Sequence, residues 1–441
     1  MQKRASLTQK KRRTESRNLQ PIPFFYGLYR RIMKILFRLL FRIQFHRDPA
    51  LETIDGPLFV IANHVSYADP IFAMLALPKH RLRFVAGEEI TQMRGFRTLA
   101  RPMRLIKIKP FHINLKTTIS VIESVRAGVS VALYPEAQRS VAGDMTPFGL
   151  STAKLIKHLG VSTAAVISHG AYLSWPRWRP IFRPGKVEVE TRLLLSAEEA
   201  KTLTLDEIQK RLTTSLQIDD YTWQTNNRRP YHYFSFKRAR GLQAICHWCP
   251  SCDQPFAMKA KKNILYCSFC GQAFEVRPDG FFTATPGSKP CFDHPLEFVR
   301  WQRKRTLDAL IAGGELKSRV TLNFHSSIRS ASSADPERPT RQGSMVLRHG
   351  SLTFYEEDDS LPQDELLRDE APPAYEKKIA FHLGEMPALY CSFPQFADLR
   401  SDRHVWRVFP EDEGFVASLA EMCRAIWLRN NGKEESDYRH R

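Results

Sequence analysis

Along the first half of the chain the apolar positions keep two rhythms. Short apolar runs at 58–62, 130–133 and 164–167, with further candidates at 81–86 and 187–195, are bounded by glycine, proline or polar residues and predict strands. Between them, residues 70–77, 117–126 and 150–158 repeat apolar positions at helical spacing, the last two stopped by Gly128 and Gly160. Residues 205–216 read as a further helix, with Thr204 as its N-cap. Strands alternating with helices of these lengths predict an α/β domain with a largely parallel sheet whose strand ends share one crevice. The last third is patterned differently. A helical stretch over 296–311 precedes strand candidates at 319–324, 345–347, 352–355, 378–382, 388–393 and 405–409, with His349-Gly350 as a hairpin turn. Residues 411–428 then carry Phe415, Leu419, Met422 and Ile426 on one helical stripe. A mainly β domain closed by one helix follows from this order.

Candidate chemistry sits at the strand ends. The run 58–62 ends in Asn63-His64, and Asp69 lies five residues beyond the histidine, at or near the N-cap of the next helix, with Pro70 at its first position. A neutral imidazole can take a proton from a hydroxyl, and a carboxylate on its other nitrogen fixes the tautomer and stabilises the cation that forms. His64 and Asp69 therefore have the makings of a general-base dyad. A buried histidine beside a helix-capping aspartate is the alternative these residues leave open. The run 130–133 leads into a second polar cluster, Tyr134-Pro135-Glu136-Ala137-Gln138-Arg139-Ser140.

An H-x4-D after one strand, followed about seventy residues later by a strand ending in aromatic-Pro-Glu-x-x-Arg-Ser, resembles the glycerolipid acyltransferases of the 1-acylglycerol-3-phosphate acyltransferase (PlsC) type, over about residues 25–215. The resemblance implies that His64 deprotonates the acceptor hydroxyl, that Asp69 orients it, and that Asn63, Glu136 and Arg139 belong to the acceptor site. Arginine suits a phosphate because its rigid fork of donors binds bidentately. The chain departs from the family where Glu136-Ala137-Gln138-Arg139 replaces the usual Glu-Gly-Thr-Arg. It departs again where residues 105–110 replace a strand ending in Asp-Arg, so that Lys107 or Lys109 would supply the cation there. The family's later Val-Pro strand is represented only by 164–170.

Hydrophobic content of 43% is ordinary for a globular protein, but the net charge of +20 is unevenly spread. Residues 1–47 hold thirteen Lys and Arg against one acid, Glu15, a block that attracts anionic lipid surfaces or nucleic acid. Residues 1–20 predict a disordered basic tail. Over 24–45, Ile32, Ile35, Leu36, Leu39, Leu40 and Ile43 interleave with Arg31, Lys34, Arg38 and Arg42, which predicts a basic amphipathic helix lying in a membrane interface. An ordinary core helix with a solvated face is the alternative. The interleaved charges exclude a simple spanning helix, and no apolar core leads to a cleavage site.

Cys249-Pro250-Ser251-Cys252 and Cys267-Ser268-Phe269-Cys270 form two C-x2-C turns fourteen residues apart, the spacing of a structural zinc ribbon. Rubredoxin-like iron or a redox dithiol would use the same residues. Cys246, Cys291, Cys391 and Cys423 form no comparable pair, which points to a reducing cytoplasm. Lys259, Lys261 and Lys262 give the ribbon a basic tip, but no interleaving of basic and stacking residues supports a nucleic-acid partner. The final β-rich stretch resembles a pleckstrin-homology-like barrel in element order alone.

These readings divide the chain into a tail (1–20), an interface helix (21–47), an acyltransferase domain (48–220), a zinc ribbon with flanks (221–290), a helical linker (291–318), a β-rich domain with its helix (319–430) and a short tail (431–441). The expected protein is peripheral or monotopic on the cytoplasmic face of a membrane. It would move an acyl group from acyl-CoA or acyl carrier protein to a lysophospholipid, lysophosphatidate first, with structural zinc and no catalytic cofactor. Another lysophospholipid or an aminolipid is the same-class alternative, and a non-catalytic zinc-ribbon adaptor at the membrane the different-class one.

Overall fold

A computed structural model of the chain describes residues 19–88, 98, 100–109, 111, 114–327, 340–357, 378–402 and 404–434. The basic tail up to residue 18, residues 328–339 and 358–377, and residues 435–441 lie outside them. The chain forms two compact units, the first built on residues up to Pro176 and Ile181–Phe234, the second on Arg177–Pro180 and Ser235 onward.

The first unit is organised on a seven-stranded sheet: β1 (Gln44–His46), β2 (Phe59–Ala62), β3 (Arg83–Gly87), β4 (Ile106–Ile108), β5 (Val131–Leu133), β6 (Thr163–His169) and β7 (Glu188–Leu195), in the order β1-β7-β6-β2-β5-β3-β4. Strands β6, β2, β5, β3 and β4 are mutually parallel, and only the β6–β7 pairing is antiparallel. Leu58, Phe59, Val60 and Ile61 are fully buried, as a central strand covered on both faces requires. The connecting helices are α2 (Asp69–Ala76), α3 (Leu115–Arg126), α4 (Ser151–Leu159), the single turn α5 (Ala171–Ser174), α6 (Ala197–Thr202), α7 (Leu205–Leu216) and α8 (Asp220–Thr225). Helix α7 begins on a capping box, with Thr204 and Glu207 exchanging bonds.

Helix α1 spans Pro23–Phe41, shorter than the expected 24–45. Arg42 turns left-handed at φ 43°, and Gln44–His46 pairs in parallel with β7, so sheet pairing claims the residues that continued the helical pattern. One face of α1 docks on its own unit. Phe37 and Phe41 meet Phe72 edge-on, and Tyr26 accepts the Leu82 amide at 3.1 Å. The other face leaves Phe24, Phe25, Leu28, Ile32, Ile35, Leu36 and Leu39 exposed among Arg31, Lys34 and Arg38. Among the described residues no helix is long and apolar enough to cross a membrane.

The second unit begins with a small antiparallel sheet, β8 (Met258–Lys261), β9 (Ile264–Cys267), β10 (Ala273–Val276) and β11 (Phe282–Ala284). Helix α9 (Pro295–Ile311) leads to β12 (Leu316–Ser327), β13 (Arg341–Arg348), β14 (Ser351–Glu356), β15 (Lys378–Phe381), β16 (Cys391–Ser392), β17 (Phe396–Ser401) and β18 (His404–Pro410), in the order β15-β14-β13-β12-β18-β17-β16. His382, just past β15, donates its amide to Arg400 of β17 at 3.0 Å, so the sheet curls back on itself. Helix α10 (Phe415–Asn430) closes the unit. It is buried on more than the one stripe expected, with Glu421 and Arg424 also covered.

Candidate active site and cysteine cluster

β2 lies between β5 and β6, parallel to both, so the loops leaving the three strands emerge at one edge of the sheet. The sequence Asn63–Ala68 follows β2, Tyr134–Ser140 follows β5, and Ser168 is the last residue but one of β6. These loops are laced together. Asn63, fully buried, donates to the Ser168 carbonyl at 3.1 Å and accepts the Ser168 amide at 2.9 Å. The His64 carbonyl accepts the Ser140 amide at 2.7 Å.

His64 Nδ1 lies 2.9 Å from Asp69 Oδ2, and the same oxygen accepts the amides of Val65 and Ser66, each at 2.8 Å. Asp69 is the first residue of α2 and Pro70 the second, one place further into the helix than their sequence suggested. From there its side chain reaches back over the loop it terminates. With Nδ1–H donated to the carboxylate, the His64 lone pair sits on Nε2, the form a general base needs.

Glu136 is almost wholly buried, and both its oxygens are taken by backbone. Oε1 accepts the His64 amide at 2.8 Å and Oε2 the Thr146 amide at 2.7 Å. Burial pushes this carboxyl up from an ordinary 4.5 to about 8, against the pull of the two amides and helped by the charges of Asp69 and Asp144. Glu136 thus braces the backbone of His64. Arg139 lies with its guanidinium carbon 3.9 Å from the centre of the Tyr67 ring, and Tyr67 in turn meets Trp175, their centroids 5.4 Å apart. Lys107 and Lys109 stand at the same edge of the sheet, but on β4 and just beyond it. They share Glu88, at 3.6 and 3.3 Å. With strands about 4.8 Å apart, β4 lies roughly 14 Å from the line of β2, so these cations and Arg139 are separated stations on one edge.

Three aromatic residues that the sequence did not single out line these loops. Tyr134 stacks on the imidazole with centroids 4.3 Å apart, Tyr67 lies under Arg139, and Trp175 packs against Tyr67. The aromatic of the strand-end motif was the available signal for Tyr134. Trp175, more than a hundred residues downstream of His64, had none.

In the second unit, one sulfur from each of Cys249, Cys252, Cys267 and Cys270 lies within 4.8 Å of the others. Cys249 and Cys270 sulfurs are 3.5 Å apart, and those of Cys252 and Cys267 3.6 Å. Four thiolates about a tetrahedral zinc, each at about 2.3 Å, stand roughly 3.8 Å from one another, so the set fits that ion. Amides of Ser251 and Phe269 point at the Cys249 and Cys267 sulfurs, both at 3.4 Å, as charged thiolates would favour. The first knuckle is pinned by α9: Gln302 accepts the amides of His247 and Trp248, and Arg305 pairs with Asp253.

A protein-family model described as Acyltransferase matches residues 42–205, a span that contains both strand-end loops. Among solved structures, the 1-acyl-sn-glycerophosphate (LPA) acyltransferase PlsC from Thermotoga maritima is 20% identical, covering 43% of this chain and 76% of its own, with a TM-score of 0.38. No curated protein matches the chain.

Proposed function

We propose that this chain, in which a family model described as Acyltransferase matches residues 42–205, is a glycerolipid acyltransferase that esterifies the free hydroxyl of a lysophospholipid, lysophosphatidate in the first place, from an acyl thioester. The observation that carries this reading is the His64–Asp69 pair, held by two backbone amides so that Nε2 is the basic nitrogen. In the step we envisage, His64 Nε2 takes the hydroxyl proton as that oxygen attacks the thioester carbonyl. The C–S bond then breaks, and the imidazolium returns its proton to the departing sulfur. Asp69 stabilises the imidazolium in between. The products are the ester and the free thiol, and no cofactor enters. Coenzyme A and acyl carrier protein present the same pantetheine thioester, so either would serve as donor.

Arg139 is our candidate for the acceptor's phosphate. Its guanidinium is stacked on the Tyr67 ring, and a planar fork of donors matches a phosphate bidentately. Asn63 and Glu136 we assign to holding the loop, since their polar atoms are engaged with backbone. Lys107 and Lys109 are left as a second cationic station for an anionic part of either substrate.

The exposed apolar and basic face of α1 supports a peripheral position on an anionic membrane surface, which we place on the cytoplasmic side where the thioester donors are. We assign zinc to the four cysteines in a structural role. We further read the barrel of the second unit as pleckstrin-homology-like, on its strand order and terminal helix.

The test is product analysis with purified protein, a panel of lysolipids and both donor types. Phosphatidate formed from lysophosphatidate, and lost in His64→Ala, is the expected result. Transfer to another lysolipid with none to lysophosphatidate would move the acceptor, and no transfer to any would remove the reading.

A further inference from the structure

His64 is gripped on two sides. Asp69 holds its edge through Oδ2, and the Tyr134 ring covers its face at 4.3 Å between centroids, the planes inclined by 26°. Two polar atoms in this grip are unspent. The Tyr134 hydroxyl oxygen and Asp69 Oδ1 are both buried, and among the described residues neither has a hydrogen-bond partner. One is a donor and the other an acceptor, and each is costly to leave unsatisfied away from water. The two side chains also feel each other electrostatically. Burial holds the Tyr134 hydroxyl well above its ordinary pKa and the charge of Asp69 adds to this, so the group is a neutral O–H donor at any physiological pH.

We propose that Tyr134 is a positioning residue for the general base: its ring fixes the plane of the His64 imidazole, and its hydroxyl donates, across one bridging water, to the second oxygen of Asp69. A single water with both groups as partners would satisfy donor and acceptor together. The consequence is chemical as well as steric. A donor on Oδ1 draws charge away from the carboxylate and so tempers the basicity that Asp69 lends to His64. The charged and titratable groups around the imidazole are Asp69 from α2, and Tyr134 and Glu136 from the loop after β5. Glu136 accepts the His64 amide, and Asp144 acts on it in turn. Arg139 lies on the face of Tyr67, within the His64 loop.

The test compares Tyr134→Phe, which keeps the ring and removes only the hydroxyl, with Tyr134→Leu, which removes both. NMR titration of the His64 ring in the full chain, assigned by difference from His64→Ala, needs no substrate and therefore does not depend on the acyl-transfer reading. Without the donor, Asp69 stabilises the imidazolium more strongly, so Tyr134→Phe should raise the His64 midpoint by about half a unit to one unit. The acid limb of kcat/KM should move up by the same amount, with the high-pH plateau kept. Tyr134→Leu should in addition broaden the ring signals, because nothing then fixes the plane. A Tyr134→Phe midpoint within about a tenth of a unit of the wild type overturns the role of the hydroxyl. A shifted midpoint in a protein that transfers no acyl group to any lysolipid supports the proposal and sinks the functional reading instead.

Discussion

His64 is held by backbone as much as by side chains. His64 gives its amide to Glu136 and its carbonyl to Ser140, while the amides of the two residues after it go to Asp69. Replacing His64 by Ala leaves those ties in place, so the fold should survive while turnover falls by about 10²–10⁴-fold, the range for a lost general base. Near-wild-type turnover in a folded His64→Ala protein would sink the dyad. Glu136→Gln attacks the same loop from behind. Glutamine offers one carbonyl where two amides need acceptors, which leaves His64 N–H or Thr146 N–H unpaired at a cost of about 1–3 kcal/mol. The pH dependence gives a sharper signature. A carboxyl whose pKa is raised on folding keeps a proton that the unfolded chain has released, so its contribution is complete below about 4.5 and fades as pH climbs through about 8. Wild-type denaturation midpoints should fall across that window, and Glu136→Gln should flatten the slope. Equal slopes in the two proteins would mean that Glu136 is buried as an anion.

Elements read from a sequence are those whose pattern has one cause. Strands β2, β5 and β6 were legible because burial on both faces makes a continuous apolar run, and α7 because Thr204 marks its cap. β17 was missed because Asp398 interrupts its apolar pattern. Asp398 is buried, and its cost is offset across the ladder by Arg407, which holds both carboxylate oxygens at 2.8 Å. No local rule reveals a partner nine residues away on another strand. The His64–Asp69 contact was legible because the two are close in sequence, whereas the packing of Trp175 on Tyr67 was not, since Trp175 arrives through the third dimension. Helix α1 shows the same limit from the other side. Its apolar residues serve two surfaces, and periodicity alone could not sort them. Phe41, buried against Phe37, Phe72 and Phe182, should cost about 3–5 kcal/mol when cut to Ala. Leu39, 77% exposed, should cost almost nothing in stability. If that outer face meets lipid, Leu39→Glu with Ile35→Glu should instead weaken binding to anionic vesicles at high salt, where apolar burial persists after charge is screened. Unchanged vesicle binding by that double variant would assign the membrane contact to another surface.

At the scale of the whole molecule the division into two units makes the metal's reach predictable. Strands β8–β11 with their knuckles are too small a module to fold on a core of their own, and such modules depend on a metal or disulfides. Their packing does not stop at the ribbon. Gln302 and Arg305 tie the first knuckle to α9, a buried Arg303–Glu421 pair ties α9 to α10, and α10 follows the last strand of the β12–β18 sheet. Contacts buried at Gln302 and at Arg303–Glu421 therefore run from the first knuckle through α9 to α10. None of these groups belongs to the sheet that carries His64. Protein prepared under reducing conditions should contain one zinc per chain by elemental analysis. Cys267→Ser, or removal of the ion by a chelator, should speed amide hydrogen exchange in β8–β11 and, through α9 and α10, in β12–β18. Exchange in β2, β5 and β6 should stay slow. The absence of stoichiometric metal would remove the zinc assignment. Fast exchange confined to β8–β11 would show that α9 carries no stability from the ribbon to the barrel, and a collapse of β2, β5 and β6 as well would show that the two units do not unfold separately.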